Sequence, residues 1–131
     1  MTQEDRELLL KDLCARLPYK VIFKDECDEN LQEIHYIRNK EIYTRTYPHL
    51  PYWIENVKPY LRPMSSMTEE EREQLRLLKN ALVECDESND EKFYGIINDI
   101  HHLYYSHHID CCGLIKKGLA LEAKEGMYNQ N

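Results

Sequence analysis

Eight side chains that could bind a metal ion or exchange protons are concentrated in residues 99–112. Imidazole, thiolate and carboxylate groups are the ligands that zinc and other transition metals take in proteins. A metal site is therefore the first chemistry that this segment suggests. The eight residues are Asp99, His101, His102, His107, His108, Asp110, Cys111 and Cys112.

The spacing of these residues argues against a metal, and we expect none. Structural zinc sites usually present two pairs of ligands, and many catalytic ones present His-Glu-x-x-His, but the sequence contains neither pattern. His101 and His102 would point about 100° apart on a helix. If a metal is bound, we expect His101, His108 and Asp110 to hold it, because the two histidines would share one face of a continued helix. The ordinary alternative is histidines that cap, hydrogen-bond or titrate at a helix end.

The five cysteines predict free thiols rather than disulfides. Their number is odd and no Cys-x-x-Cys pair occurs. Cys14 and Cys85 fall among leucines at helical spacing, which predicts small buried hydrophobic side chains. The adjacent Cys111 and Cys112 are a poor disulfide pair, and neither has a triad partner beyond the nearby histidines. We therefore assign no catalytic residue.

A second group of candidate binding residues lies in residues 48–67, which we call the connector. Trp53 and Tyr60 could stack on a base while Lys58 and Arg62 hold a phosphate. The sequence favours another interpretation, in which the aromatic rings anchor the connector and the cations remain solvated. With four glycines in the whole chain, no glycine-rich phosphate loop is present, so classical nucleotide hydrolysis is not supported.

Charge and hydropathy exclude several classes of partner. The formal net charge of −7 disfavours general nucleic-acid binding. The ending resembles a winged helix in outline, but Lys116 and Lys117 supply too little positive charge to contact DNA. The N-terminus is acidic and no run of about 18 apolar residues exists, so we expect a soluble cytoplasmic protein that does not bind membranes.

The first half of the chain predicts a helix followed by a sheet. Thr2 and Asp5 form a capping-box pattern, leucines recur at three- and four-residue steps, and Pro18 ends the helix. An acidic turn at residues 25–30 separates the first two strands, which form a hairpin. The three predicted strands cover residues 19–24, 31–38 and 42–47.

The connector contains four of the five prolines. Because proline fixes φ and removes a hydrogen-bond donor, we expect no long regular structure there apart from one turn at residues 54–57. Thr68 and Glu71 then form a capping box for a helix over residues 69–85. A second helical face follows over residues 93–105 and completes a helical hairpin.

The C-terminal segment predicts a short helix and a strand. Asp110 is expected to cap the short helix, which runs through Lys117. Gly118 suits a left-handed position, and residues 119–123 could form a final strand. The sequence thus predicts one α+β domain over residues 1–131. Its parts are helix and sheet over 1–47, the connector over 48–67, a helical part over 68–124, and a tail over 125–131.

Three blocks of the sequence carry a family resemblance. They are LCARLPY from Leu13, VKPYLRPMSSMTEEE from Val57, and the residues from His107 to Tyr128 that include HHID, GLI, GLA and EGMY. Together they resemble a group of small uncharacterised proteins of gut-bacterial phages, prophages and mobile elements, whose activity is not known. The resemblance implies a protein that acts inside a bacterium during phage infection. Those relatives carry an aromatic and a basic residue in place of Cys111 and Cys112, and a glycine in place of Lys20.

These observations lead to one functional interpretation and two alternatives. The first is a non-enzymatic accessory or interaction protein of a phage or mobile element, without a cofactor. Its binding surface joins the connector to residues 107–113, which we call the bend. The alternatives are an anti-defence protein that sequesters a small nucleotide signal, and a metal-dependent hydrolase that uses the histidine cluster. The partner is thus a protein or a small nucleotide. The candidate binding residues are Trp53, Lys58, Tyr60, Arg62, His107, His108 and Asp110.

Overall fold

The computed structural model describes residues 1–25, 28–86 and 88–128, and of residues 28–30 it describes the backbone alone. An N-terminal helix precedes the first five strands, and two further helices lie between the fifth strand and the sixth. The fold class is therefore α+β. The helices are α1 (Gln3–Arg16), α2 (Glu69–Glu84) and α3 (Asp90–Ser106). The strands are β1 (Ile22–Asp25), β2 (Asp28–Arg38), β3 (Glu41–Thr44), β4 (Tyr52–Trp53), β5 (Val57–Leu61) and β6 (Leu121–Glu122).

The six strands form one mixed sheet in the order β4-β3-β2-β1-β5-β6. All neighbouring pairs are antiparallel except β5 and β6, which are parallel. β4 and β5 stand four places apart, about 19 Å in a flat sheet, yet the link from Trp53 to Val57 can span only about 14 Å. The sheet must therefore curl, and the short 3₁₀ turn Ile54–Asn56 joins its two sides.

Helix α1 packs its apolar face against this curled sheet. Thr2 caps the helix as the sequence predicts, because its hydroxyl accepts from the Asp5 N–H while the Asp5 carboxylate accepts from the Thr2 N–H. The leucines of α1 meet apolar side chains from β1, β2, β3 and β5 and from the C-terminal segment. The main core contains Leu9, Leu13, Val21, Phe23, Ile34, Ile42, Ile54, Val57, Leu61, Leu114, Leu119 and Ala120.

Helices α2 and α3 pack against each other and on the bend. The Thr68 and Glu71 capping box is present at the start of α2. A second, smaller apolar cluster contains Met67, Leu75, Leu103 and Ile109. Farther along the two helices, Val83 and Tyr94 are exposed to solvent. No helix in the described part of the chain combines the length and the apolar character that crossing a bilayer requires.

The main correction concerns the connector, which contains two strands where little regular structure was expected. β5 lies beside β1 inside the sheet although it includes Pro59. β6 pairs only with Tyr60 and Leu61, so at Pro59 the outer side of β5 has no strand neighbour in the described chain. Proline is tolerated in a strand where no donor is needed on that side. The sheet is therefore six-stranded and mixed rather than three-stranded and antiparallel.

Smaller corrections concern the first hairpin, the segment after Asp110 and two cysteines. The expected turn at residues 25–30 is shorter, because β2 begins at Asp28; residues 26 and 27 lie outside the described part. The helix expected after Asp110 is a single irregular turn, since left-handed glycines at positions 113 and 118 bracket it. Cys14 is exposed rather than buried, and Cys85 is only partly covered.

One buried ion pair links α1 to the distant C-terminal segment. Arg16 is fully buried, and its Nε and Nη2 donate to the two Asp12 carboxylate oxygens at 2.7 and 3.2 Å. Nη2 also donates to the Ile109 carbonyl at 2.7 Å. The guanidinium lies 4.9 Å from the centre of the Tyr105 ring. α1 is thus held against the end of α3 by a charge that water does not reach.

We expect Asp12→Ala to lower the free energy of unfolding by about 3–5 kcal/mol, because it leaves the Arg16 charge buried without its partner. Urea denaturation followed by circular dichroism measures the change. Lys11→Ala, at the exposed neighbouring position, is the matched control and should stay within about 0.5 kcal/mol of the wild type. A loss below about 1 kcal/mol for Asp12→Ala would show that the ion pair does not hold the fold.

Candidate functional site

The end of the connector and the bend lie side by side, joined through their backbones. The Arg62 N–H donates to the His108 carbonyl at 2.7 Å, and the Asp110 N–H donates to the Arg62 carbonyl at 2.8 Å. These bonds extend the sheet by one bridge between Arg62 and Ile109. Two of the sequence-derived candidate regions are therefore in contact.

Both terminal nitrogens of the Arg62 guanidinium are engaged within the protein. Nη1 and Nη2 donate to the two Glu71 oxygens at 2.8 and 2.7 Å, and they also donate to the carbonyls of His107 and Ser66 at 3.3 and 2.9 Å. The bidentate contact with Arg62 is the main reason why the pKa of Glu71 falls to about 2. The His107 ring also contacts Glu71, with Nδ1 2.7 Å from a carboxylate oxygen. Arg62 is therefore a positioning residue with no free donor pair for a ligand phosphate.

His108 is the most unusual residue of the bend. Its backbone is left-handed, with φ of 60°, which costs energy for a residue other than glycine. Its side chain is only 2% exposed and stacks on the Tyr128 ring, with centroids 3.7 Å apart and planes 12° from parallel. Nδ1 is buried and has no hydrogen-bond partner among the described residues. Burial, followed by the charges of Arg16, Arg62 and His107, lowers the pKa of His108 to about 4, so the ring is neutral near pH 7.

Tyr128 fixes the C-terminal tail across the sheet. Its hydroxyl accepts a hydrogen bond from the Ile22 N–H at 2.9 Å and donates to the Tyr60 carbonyl at 2.7 Å. Burial raises the pKa of Tyr128 to about 12, so the hydroxyl keeps its proton. The described part of the tail, up to Tyr128, is thereby held beside the bend.

Connector, bend and tail enclose a cavity of about 400 Å³, which we call the groove. Arg62, His107, His108 and Tyr128 contribute to its walls, and charged side chains line its tail side. The remaining lining residues are Pro63, Ser66, Glu122, Ala123, Lys124, Glu125 and Gly126.

Asp110 is not part of the groove lining and has a structural role in the bend. Its carboxylate accepts from the N–H groups of Leu114 at 2.8 Å and Ile115 at 2.9 Å. The side chain is buried, so both of these bonds satisfy backbone donors of the following turn. The expected capping role of Asp110 is present, although the segment that it caps is a turn.

The other candidate residues from the connector are not at the groove. Trp53 is 56% exposed on β4 and lines a separate cavity of about 260 Å³ against α1. Lys58 pairs with Lys24 across β5 and β1, and Tyr60 is buried in β5. These side chains do not converge on one site, because alternation along the strands and the curl of the sheet separate them.

The three residues expected to hold a metal do not form a ligand group. His101 stays on α3, which ends at Ser106, so it does not share a helical face with His108 as a longer helix would allow. Within the described residues, three potential ligand atoms lie within 4.8 Å of one another at one place. That place is formed by Asp12, Cys111 and Cys112.

Sequence reasoning did not assign most of the groove lining, nor Glu71, to the site. Glu71 was recognised only as a helix cap, and Tyr128 only as part of a tail block. Ser66 and Lys124 gave no signal by type or spacing. The EGMY block was the available indication that the tail belongs to the site, because an aromatic residue after a turn can return to the core.

Comparison with family models finds no match to the chain. No curated protein and no solved structure matches it significantly either.

We expect the protein to lose stability as the pH falls from about 6.5 towards 4. In this range His108 is protonated in the unfolded chain but stays neutral in the folded protein, because folding lowers its pKa to about 4. Below the unfolded pKa the unfolded state binds more protons, so acid favours unfolding, on the order of 2 kcal/mol near pH 4.5. Glu71 contributes separately, because its lowered pKa adds stability that is lost only below about pH 4.5.

Urea denaturation at several pH values measures this slope. His108→Asn, whose side chain tolerates a left-handed backbone, should flatten it between pH 6.5 and 4. The control His49→Asn removes an exposed histidine and should leave the slope unchanged. An unaltered slope in His108→Asn would exclude His108 as its source.

Proposed function

We propose that this protein is a non-enzymatic binding protein whose partner is an extended polypeptide segment that occupies the groove. The observation on which this proposal rests is His108, a buried, strained and stacked ring with an unpartnered nitrogen, in the wall of a cavity. Strained backbone and unsatisfied polar atoms are concentrated at ligand sites, because the surrounding structure must hold them there. Concave cavities with a few polar groups are the usual binding sites of proteins.

The charges of the groove favour a peptide over an anionic ligand. Its lining includes the cations Arg62 and Lys124, but Arg62 is neutralised by Glu71. The carboxylates of Glu122 and Glu125 oppose the remaining lysine. A nucleotide phosphate would meet no net positive charge there, whereas a peptide offers both donors and acceptors.

The sheet offers a place for such a segment. In the described part of the chain, β6 is the last strand, so its outer edge has no strand neighbour. Glu122 and Ala123, at the end of β6, line the groove. An extended peptide can add to a free edge through backbone hydrogen bonds while its side chains enter adjacent pockets.

The hydroxyl groups of the groove support a non-enzymatic role. The Ser66 hydroxyl donates to the Pro63 carbonyl at 2.7 Å, and the Tyr128 hydroxyl is bonded to backbone groups. Neither contacts a base that would activate it as a nucleophile among the described residues. The resemblance to phage and mobile-element proteins supports an accessory role inside an infected bacterium as part of the same proposal.

A random-peptide display library selected on the wild-type protein tests the proposal. We expect selected peptides to bind Lys124→Trp at least tenfold more weakly, about 1.4 kcal/mol, because the indole fills part of the groove from an exposed position. Lys117→Trp introduces the same side chain at an exposed position outside the groove lining and should bind as the wild type does. Fluorescence anisotropy with labelled peptides measures the dissociation constants.

Peptides that bind Lys124→Trp as tightly as the wild type would overturn the proposal. So would a thermal-shift screen in which cyclic or ADP-ribose-type nucleotides stabilise the wild type and Lys117→Trp but leave Lys124→Trp unaffected. That result would assign the groove to a nucleotide instead.

A further inference from the structure

The two sulfur atoms of the bend are spaced for a shared ion. Cys111 Sγ and Cys112 Sγ lie 3.8 Å apart, and a carboxylate oxygen of Asp12 lies within 4.8 Å of both. Two thiolates bound to one tetrahedral zinc at about 2.3 Å are separated by about 3.8 Å. The corresponding distance from each sulfur to a carboxylate oxygen is about 3.6 Å, which requires only a small approach of Asp12. We propose that Asp12, Cys111 and Cys112 bind one zinc ion.

The charges of this cluster balance when the ion is zinc. On binding, the two thiols release their protons to solvent, so two thiolates and the Asp12 carboxylate supply three negative charges. Zinc and the Arg16 guanidinium supply three positive charges. The cluster is therefore neutral as a whole. Neutrality matters because burying a net charge carries a large desolvation cost.

Arg16 already orients two of the three ligands. It donates to both Asp12 oxygens, and its Nη2 lies 3.9 Å from Cys111 Sγ. Partners of this kind around a metal site fix the direction of the ligands and strengthen binding. A bidentate carboxylate that accepts from an arginine still has lone pairs for a metal.

The backbone of the bend presents the thiols from a constrained turn. The Cys111 N–H donates to the Ile109 carbonyl at 3.0 Å, and Gly113 follows with φ of 73°. A disulfide is a poor alternative for adjacent cysteines, whose Cα atoms are closer than ordinary disulfide geometry allows. The dithiol is therefore available to a metal, as thiolate ligands favour zinc over hard cations.

The bound ion would connect α1 directly to the bend. Asp12 belongs to α1, while both cysteines follow α3, so the three ligands come from opposite ends of the described chain. Cys112 is exposed, which leaves the fourth coordination position for a water molecule. The ion would thus reinforce the contact that Arg16 makes with the Ile109 carbonyl.

Cobalt and zinc titrations of the full chain test this proposal. The protein is reduced with a phosphine, stripped with a chelator, separated from both by anaerobic gel filtration, and titrated with Co²⁺. We expect one equivalent to produce thiolate-to-cobalt charge-transfer absorption and the visible bands of tetrahedral cobalt. Zn²⁺ should displace the Co²⁺ and raise the melting temperature.

Two matched cysteine variants locate the site. Cys112→Ser removes an exposed ligand, so the variant should fold, and we expect its zinc affinity to fall at least about 100-fold. Cys14→Ser removes another exposed cysteine outside the cluster and should bind as the wild type does. Competition with a chromophoric chelator measures both affinities.

A titration without thiolate charge transfer would overturn the proposal, because it would mean that no sulfur binds the metal. Zinc binding by Cys112→Ser with the wild-type affinity would do the same. A loss of binding in Cys14→Ser, with circular dichroism showing a native fold, would place the ligands elsewhere.

Discussion

The buried guanidinium of Arg16 is the constraint on which the rest of the molecule depends. A charge removed from water needs partners, and Arg16 finds them on α1, at the end of α3 and in the bend. Its Nε and Nη2 donate hydrogen bonds, whereas the buried Nη1 has no hydrogen-bond partner among the described residues. The need to surround the Arg16 charge constrains both the bend and α1. The bend must place its Ile109 carbonyl within reach of Arg16, and α1 must keep its Asp12 carboxylate beside the same group.

Two arginines, Arg16 and Arg62, hold the bend through its backbone carbonyl groups. Arg62 donates to the carbonyls of His107 and His108, through its side chain and its backbone, and Arg16 donates to the carbonyl of Ile109. Three successive carbonyl groups are thereby satisfied by elements that are distant in sequence. This arrangement explains how His108 can keep a left-handed conformation, because its flanking peptide groups are fixed on both sides. The groove and the dithiol are two outer faces of this one segment.

The parts of the fold that depend on local signals could be predicted from the sequence. The capping boxes at Thr2 and Thr68 fix where α1 and α2 begin, and leucine periodicity identifies the faces that these helices bury. β5 could not be predicted in the same way. Its proline argues against a strand, and the strand exists because of its neighbours rather than its own composition.

The site was predicted only in part, for the same reason. Arg62, His107 and His108 were identified as unusual residues in irregular backbone, and the structure places them at one groove. Trp53 and Lys58 were grouped with them because they are close in sequence, but strand alternation and curling separate them. Asp12 lies about a hundred positions before Cys111 and Cys112 in the sequence. Motifs based on short spacing cannot predict that such distant residues meet.

The long separation between Arg16 and Ile109 also determines when the molecule can be completed. During synthesis Arg16 emerges from the ribosome many residues before the carbonyl that it must meet, a gap of 93 positions. Until then its charge remains hydrated, and the leucines beside it on α1 lack the C-terminal part of their core. α1 can therefore reach its final packing only after the C-terminal segment has been synthesised. Until then the nascent chain exposes an apolar helical surface to which chaperones can bind.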